Sequence, residues 1–126
     1  MTLLDNETII AGTAASQKKV SEFAKDNNIS GLEFMSCIPG SIGGGIRMNS
    51  GCFKKEFKDI LVSVQAIDRN GEIITIEASK INFSYRENNL DKNLIFLSAS
   101  FKGEFKEKKE IQEYTKVIKN KKDYTQ

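Results

Sequence analysis

The sequence predicts an α+β fold, an antiparallel sheet flanked by helices, and three observations carry that reading. A β-branched stretch folds back on itself across Asp68-Arg69-Asn70-Gly71, residues 94–105 alternate over the length of a long strand, and helical patterns stand at about 17–28 and 107–122. The 126 residues suit one domain, large enough to bury a core without disulfide or metal support.

In chain order, residues 7–11 end in a β-branched run before Gly12, which reads as a strand entering a turn. Ser16 is placed to cap the first helix, where Val20, Phe23 and Ala24 recur at helical spacing, and Asn27 and Asn28 end it. Residues 31–37 suit one short helical turn, because Pro39 pushes the residue before it out of the helical region. A glycine-rich loop follows over 38–51. Residues 60–67 read as a strand with Ile60, Val62, Val64 and Ala66 on one side, and Asn70-Gly71 suits positive backbone angles in the turn that follows. Residues 72–77 make the returning strand, 78–83 a short helix or loop, and the last helix carries a narrow stripe of Ile111, Tyr114 and Ile118.

Composition excludes several function classes. There is no histidine, so serine–histidine and cysteine–histidine nucleophiles and the commonest metal ligand are missing. Cys37 and Cys52 are too few and wrongly spaced for a zinc site, and both read as reduced thiols. The net charge of +2 comes from the C-terminal segment, where residues 101–126 hold 8 basic and 5 acidic side chains. Lys106, Lys108, Lys109, Lys116, Lys119, Lys121 and Lys122 are interspersed there with Glu107, Glu110 and Glu113, the pattern of a solvated helix face; no aromatic or arginine cluster accompanies them, which argues against nucleic acid. No apolar run reaches membrane-spanning length, and the first ten residues lack a basic start and an apolar signal core, so a cytoplasmic location is expected.

The most informative segment is 38–51, which holds five of the nine glycines and the single proline. It lacks the lysine-threonine ending of a Walker A loop, and Met48 stands where a dinucleotide-binding fingerprint needs glycine. Ile38, Ile42, Ile46 and Met48 are interleaved with the glycines, which suggests an apolar cradle with exposed amides for a large, flat, phosphate-bearing cofactor. Redox chemistry in this chain would have to come from such a cofactor.

The run from Gly31 to Gly51, Gly-Leu-Glu-Phe-Met-Ser-Cys-Ile-Pro-Gly-Ser-Ile-Gly-Gly-Gly-Ile-Arg-Met-Asn-Ser-Gly, resembles the UDP-N-acetylenolpyruvoylglucosamine reductase family, flavoenzymes of peptidoglycan synthesis. Ala11-Gly12, the turn at Asp68 to Gly71, and Phe83-Ser84-Tyr85-Arg86 match in order and spacing. The resemblance implies a vanillyl-alcohol-oxidase-type FAD-binding domain, with Ile38, Pro39, Gly40, Ser41, Gly43 and Gly44 at the FAD and Asn49 and Gly51 shaping the end of the loop. In that picture the amides and Ser41 meet flavin or phosphate oxygens, and the isoleucines keep water from the ring.

The resemblance further implies that Arg86 is catalytic, its guanidinium stabilising charge on the substrate, a UDP-sugar enolpyruvate reduced with NADPH as the hydride donor; Tyr85 would pack or orient. Asn88 replaces a common serine, and Cys52-Phe53-Lys54 a common alanine-aromatic-glycine. Residues 1–126 are then expected to form a single partial FAD-binding domain, without the family's N-terminal pyrophosphate-loop subdomain and its C-terminal substrate domain with the proton-donating serine. Two functions stay open: an FAD-binding fragment not active alone, which would work with complementary fragments, and a non-catalytic remnant or interaction module without flavin.

Overall fold

The computed structural model describes residues 1–52, 54–82 and 90–125, without the side chains after residue 120. Its centre is an antiparallel sheet of five strands, β1 (Thr2–Leu3), β2 (Thr8–Gly12), β6 (Leu61–Ile67), β7 (Ile73–Glu77) and β8 (Ile95–Lys102), in the order β1-β2-β8-β6-β7. Helices α1 (Gln17–Asp26), α2 (Ile42–Met48), α3 (Phe57–Ile60) and α4 (Lys108–Thr125) accompany it. Two small ribbons, β3 (Ile29–Ser30) with β9 (Glu104–Phe105) and β4 (Gly51–Cys52) with β5 (Lys55–Glu56), and short 3-10 helices at Glu33–Cys37 and Ala78–Lys80 stand beside them.

Local chemistry sets the helix ends. Ser16 caps α1, its Oγ accepting from the Lys19 N–H at 3.1 Å. Asn28, at φ 61°, closes that helix region and serves α4 as well: its carbonyl accepts from the Lys106 N–H at 3.0 Å and its Oδ1 from the Lys108 N–H at 3.1 Å. A short α3 is held by a reciprocal capping box between Glu56 and Asp59.

The core lies where α1, α2 and α3 meet one sheet face. Ile9 and Ala11 of β2, Val64 of β6 and Phe101 of β8 are buried there against Val20, Ile42, Ile46 and Phe57. Phe57 is central, meeting Phe34 and Phe101 edge to face at centroid distances of 6.1 and 5.5 Å.

Several expectations are corrected. Residue 60 ends a helix, and Val62 is exposed while Leu61 is buried, because a register shift between Leu61 and Ser63 reverses the side-chain alternation. The long strand expected over 94–105 breaks at Gly103, whose Cα packs so tightly on Ser30 that a side chain could not fit. In the hairpin turn only Gly71 takes a positive φ, 80°, with its N–H donating to the Asp68 carbonyl. Ile111 and Ile118 of α4 are buried but Tyr114 is half exposed, since a three-residue step carries it about 60° off their line.

The largest correction concerns 38–51, expected as a loop. Ile42–Met48 is an α-helix, its first turn closed by Ser41 Oγ, which accepts from the Gly44 N–H at 3.1 Å, and its end by Asn49 in the left-handed conformation at φ 45°. Tertiary packing overrides the low helix propensity of three successive glycines, because Ile42 and Ile46, a turn apart, both insert into the core.

Candidate functional site

Seven of the eight loop residues singled out above, Ile38, Pro39, Gly40, Ser41, Gly44, Asn49 and Gly51, line one cavity of about 970 Å³. Gly43 does not line it; it faces Thr13, to whose carbonyl its N–H donates at 3.0 Å. Pro39, Gly40, Gly44, Met48 and Gly51 are exposed along this wall, while Ile42 and Ile46 point the other way, so those two isoleucines shield the core and not the cavity.

Each glycine has its own physical reason. A Cβ on Gly45 would strike the Phe57 ring, and one on Gly51 would come within 2.8 Å of the Lys55 carbonyl oxygen. Gly40 sits at φ +119° in open space, where its backbone angle alone requires glycine. Gly44 differs: an added Cβ would meet nothing closer than Ser41 Oγ at 3.5 Å, so packing within the chain does not explain it. Its bare backbone faces the cavity.

The amides at the glycines are largely committed internally. Besides the bonds of Gly43 and Gly44, the Ile42 N–H donates to the Ala15 carbonyl at 2.9 Å and the Gly45 N–H to the Ser41 carbonyl at 3.0 Å. Asn49 is buried and its Oδ1 accepts from the Lys58 N–H at 3.1 Å, tying the end of α2 to α3. Arg47, in the last turn of α2, donates to the carbonyls of Asp91 at 3.0 Å and Leu94 at 2.8 Å and lies 4.3 Å from the Phe96 ring centroid. The helix is thereby fastened to the segment entering β8.

Gln17 is among the wall residues that the sequence did not mark. It is 1% exposed and lines the cavity, yet among the described residues its Oε1 has no hydrogen-bond partner. Its N–H donates to the Gly40 carbonyl at 3.0 Å and its Nε2 to the Ser41 carbonyl at 3.2 Å. A signal existed: residues 17, 20, 21 and 24 form the buried face of α1, and Gln17 is its one large polar side chain. Lys54, Lys55 and Lys58 also line the cavity beside Glu56 and Asp59, with Lys58 Nζ 3.3 Å from Glu56 Oε2. Cys37 is buried, and half-buried Cys52 lines the cavity. Arg86, with Phe83, Ser84, Tyr85 and Asn88, lies outside the described residues, as does Phe53.

A cavity near the upper size of small-molecule sites, bounded by a bare glycine backbone, fits a large ligand such as a flavin nucleotide. In agreement, the FAD binding domain family matches residues 3–77, and the chain belongs to that family. At the level of individual proteins, it is similar to the UDP-N-acetylenolpyruvoylglucosamine reductase of Pelagibacter ubique, 58% identical over 126 residues, which are 100% of this chain and 42% of that protein. The Rickettsia conorii reductase of the same name is 43% identical over 123 residues, 98% of this chain and 41% of that one. The chain thus spans about two fifths of the length of these curated relatives.

The crystal structure of the UDP-N-acetylenolpyruvylglucosamine reductase from Thermus caldophilus superimposes with a TM-score of 0.85 at 24% identity, covering 94% of this chain and 44% of that one, and shows the same fold. No helix among the described residues is long and apolar enough to cross a membrane.

Proposed function

We propose that this chain is the FAD-binding portion of a UDP-N-acetylenolpyruvoylglucosamine reductase, the NADPH-dependent enzyme that makes UDP-N-acetylmuramate for peptidoglycan. The observation that supports the reading most is that seven residues of the segment 38–51, the stretch that carries the family resemblance, line one cavity. When bound, FAD supplies hydride transfer between NADPH and the enolpyruvyl double bond. The chain's own part is to bind and orient: Ile38, Pro39, Gly40, Ser41 and Gly44 form the wall, Asn49 and Gly51 hold the end of α2, and Arg47 keeps the helix in register with β8. Gly43 contributes by packing on Thr13.

In this reading Arg86 stabilises the negative charge that develops toward the substrate carboxylate, a task suited to a permanently charged, fork-shaped group. Residues 1–126 form one partial FAD-binding domain, and the pyrophosphate-binding and proton-donating parts belong to the remaining length of the relatives. The setting is the cytoplasm, where the product feeds cell-wall biogenesis and thereby cell shape and division.

The test is reconstitution. Alone, the chain is expected to bind FAD weakly; with the remaining portions of the Pelagibacter reductase supplied in trans, flavin absorbance and substrate-dependent NADPH oxidation should appear. Arg86→Ala should depress turnover far more than FAD content. No flavin absorbance and no NADPH oxidation on reconstitution would overturn the proposal and favour a remnant or interaction module.

A further inference from the structure

Charge is unevenly placed around the cavity. Among the described residues, every charged side chain that lines it comes from the stretch 54–59, while the lining residues from Gln17 to Cys52 are all uncharged. Within the charged stretch, three groups are already committed: Lys58 Nζ stands 3.3 Å from Glu56 Oε2, and the Asp59 carboxylate accepts from the Glu56 N–H at 2.8 Å. Lys54 and Lys55 make no ion pair among the described residues. The cavity therefore has a neutral wall and an edge with two uncompensated cations.

Lys54 is also held in a conformation that its side chain disfavours. It is the second residue of the two-residue connection between β4 and β5, where Cys52 pairs with Lys55, and its φ is 66°. Besides glycines, the other described residues with positive φ are Asn28 and Asn49, whose short polar side chains suit the left-handed region. A glycine at position 54 would carry no Cβ and would relieve the strain. Strained backbone under an exposed side chain that lines a cavity is a mark of use. The place of Lys54 is fixed as well, because the Asn49 Oδ1 accepts from the Lys58 N–H at 3.1 Å and Gly51 leaves no room for a Cβ beside the Lys55 carbonyl.

We propose that Lys54 is a phosphate-recognition residue: its ammonium, together with that of Lys55, meets the diphosphate of a nucleotide whose uncharged part lies against the wall from Ile38 to Gly44. The inference rests on the FAD-binding reading above. A neutral wall that continues into a cationic edge suits a ligand that is flat and uncharged at one end and anionic further along. FAD, NADPH and the UDP-sugar all carry a diphosphate, so each is a source of this chemistry.

The test is an NMR titration of the isotopically labelled chain at low ionic strength, a method that reads weak binding. FAD, NADPH and UDP are each compared with a phosphate-free counterpart: riboflavin, reduced nicotinamide riboside and uridine. At least one diphosphate should shift the Lys54 amide and ammonium signals where its counterpart does not, and which one identifies the source. Lys54→Gly should bind that ligand about fivefold more weakly and its counterpart equally well. Lys54→Arg keeps the charge and should keep the affinity. In about 1 M sodium chloride the unmodified protein and Lys54→Gly should bind alike. Lys54→Gly should also unfold at a higher urea concentration, because the strain is gone. Equal affinity of the unmodified protein and Lys54→Gly for all three diphosphates, or an unfolding midpoint that does not rise, would overturn the role of Lys54. Shifts by riboflavin at residues 38–44 would then leave FAD binding standing. If neither FAD nor riboflavin moves any signal of residues 38–44, both readings fail.

Discussion

The Phe57 ring lies directly under the Cα of Gly45, where an added Cβ would come within 2.7 Å of Cε1 and 2.8 Å of Cε2. Phe57 cannot withdraw, being fully buried and wedged edge-on between Phe34 and Phe101. Gly45→Ala should therefore destabilise the fold by about 1–3 kcal/mol despite alanine's higher helix propensity. Urea unfolding checks this, and an unchanged midpoint would mean that the ring shifts freely.

Gly44→Ala, one position earlier on the same helix, should do the opposite to stability. With open space around the new methyl, the variant should gain about 0.5–1 kcal/mol in the same unfolding assay. Flavin affinity should fall, because the methyl projects from the cavity wall. A stability loss with normal affinity would make Gly44 a structural glycine.

Ser41→Ala removes the side chain that accepts from the Gly44 N–H at the start of α2. A loss of about 1 kcal/mol is expected. Ser41→Asp, which keeps an acceptor oxygen at the cap, should recover most of it; failure of that rescue would assign the loss to something other than capping.

Arg47→Met should release the Asp91 and Leu94 carbonyls while keeping much of the apolar stem over Phe96. About 1–3 kcal/mol should be lost, with faster proteolytic cleavage between residues 91 and 94. Equal cleavage rates in the two proteins would show that the guanidinium does not hold this segment.

Acid should weaken the same region. The Asn93 backbone N–H, donating at 2.9 Å, holds the Asp91 carboxyl below its usual range, helped by Arg69. A depressed carboxylate stabilises the fold fully above the ordinary aspartate range, and that contribution disappears as pH falls through the lower folded value. Asp91→Asn should flatten this part of the acid unfolding curve, and curves of the same shape for both proteins would argue against it.

Much of the fold was legible because it rests on local chemistry. Ser16 as a cap, Asn27 and Asn28 as a stop, the turn ending in Gly71 and the antiparallel strands around it all follow from rules that reach only a few residues. The misreadings share another cause. Strict alternation sets Val62 on one side with Val64, and a register shift against β8 undoes it; the strand expected over 94–105 breaks at Gly103, where the chain leaves β2 and goes on to pair with β3.

The candidate site divides along the same line. Sequence alone marked residues 38–51 as the place where something is held, because large apolar residues are interleaved there with five glycines, and it marked the family. Only the tertiary structure decided which side of that segment faces the ligand. Ile42 and Ile46 are drawn into the core by hydrophobic burial, which forces a glycine-rich stretch into a helix and leaves Gly44 and Met48 on the cavity side. It alone placed Gln17, twenty-three residues before Gly40, with its amide fastened to that wall and its oxygen unmatched. Contacts between residues distant in sequence arise from packing, and a pattern of neighbours along the chain carries no record of them.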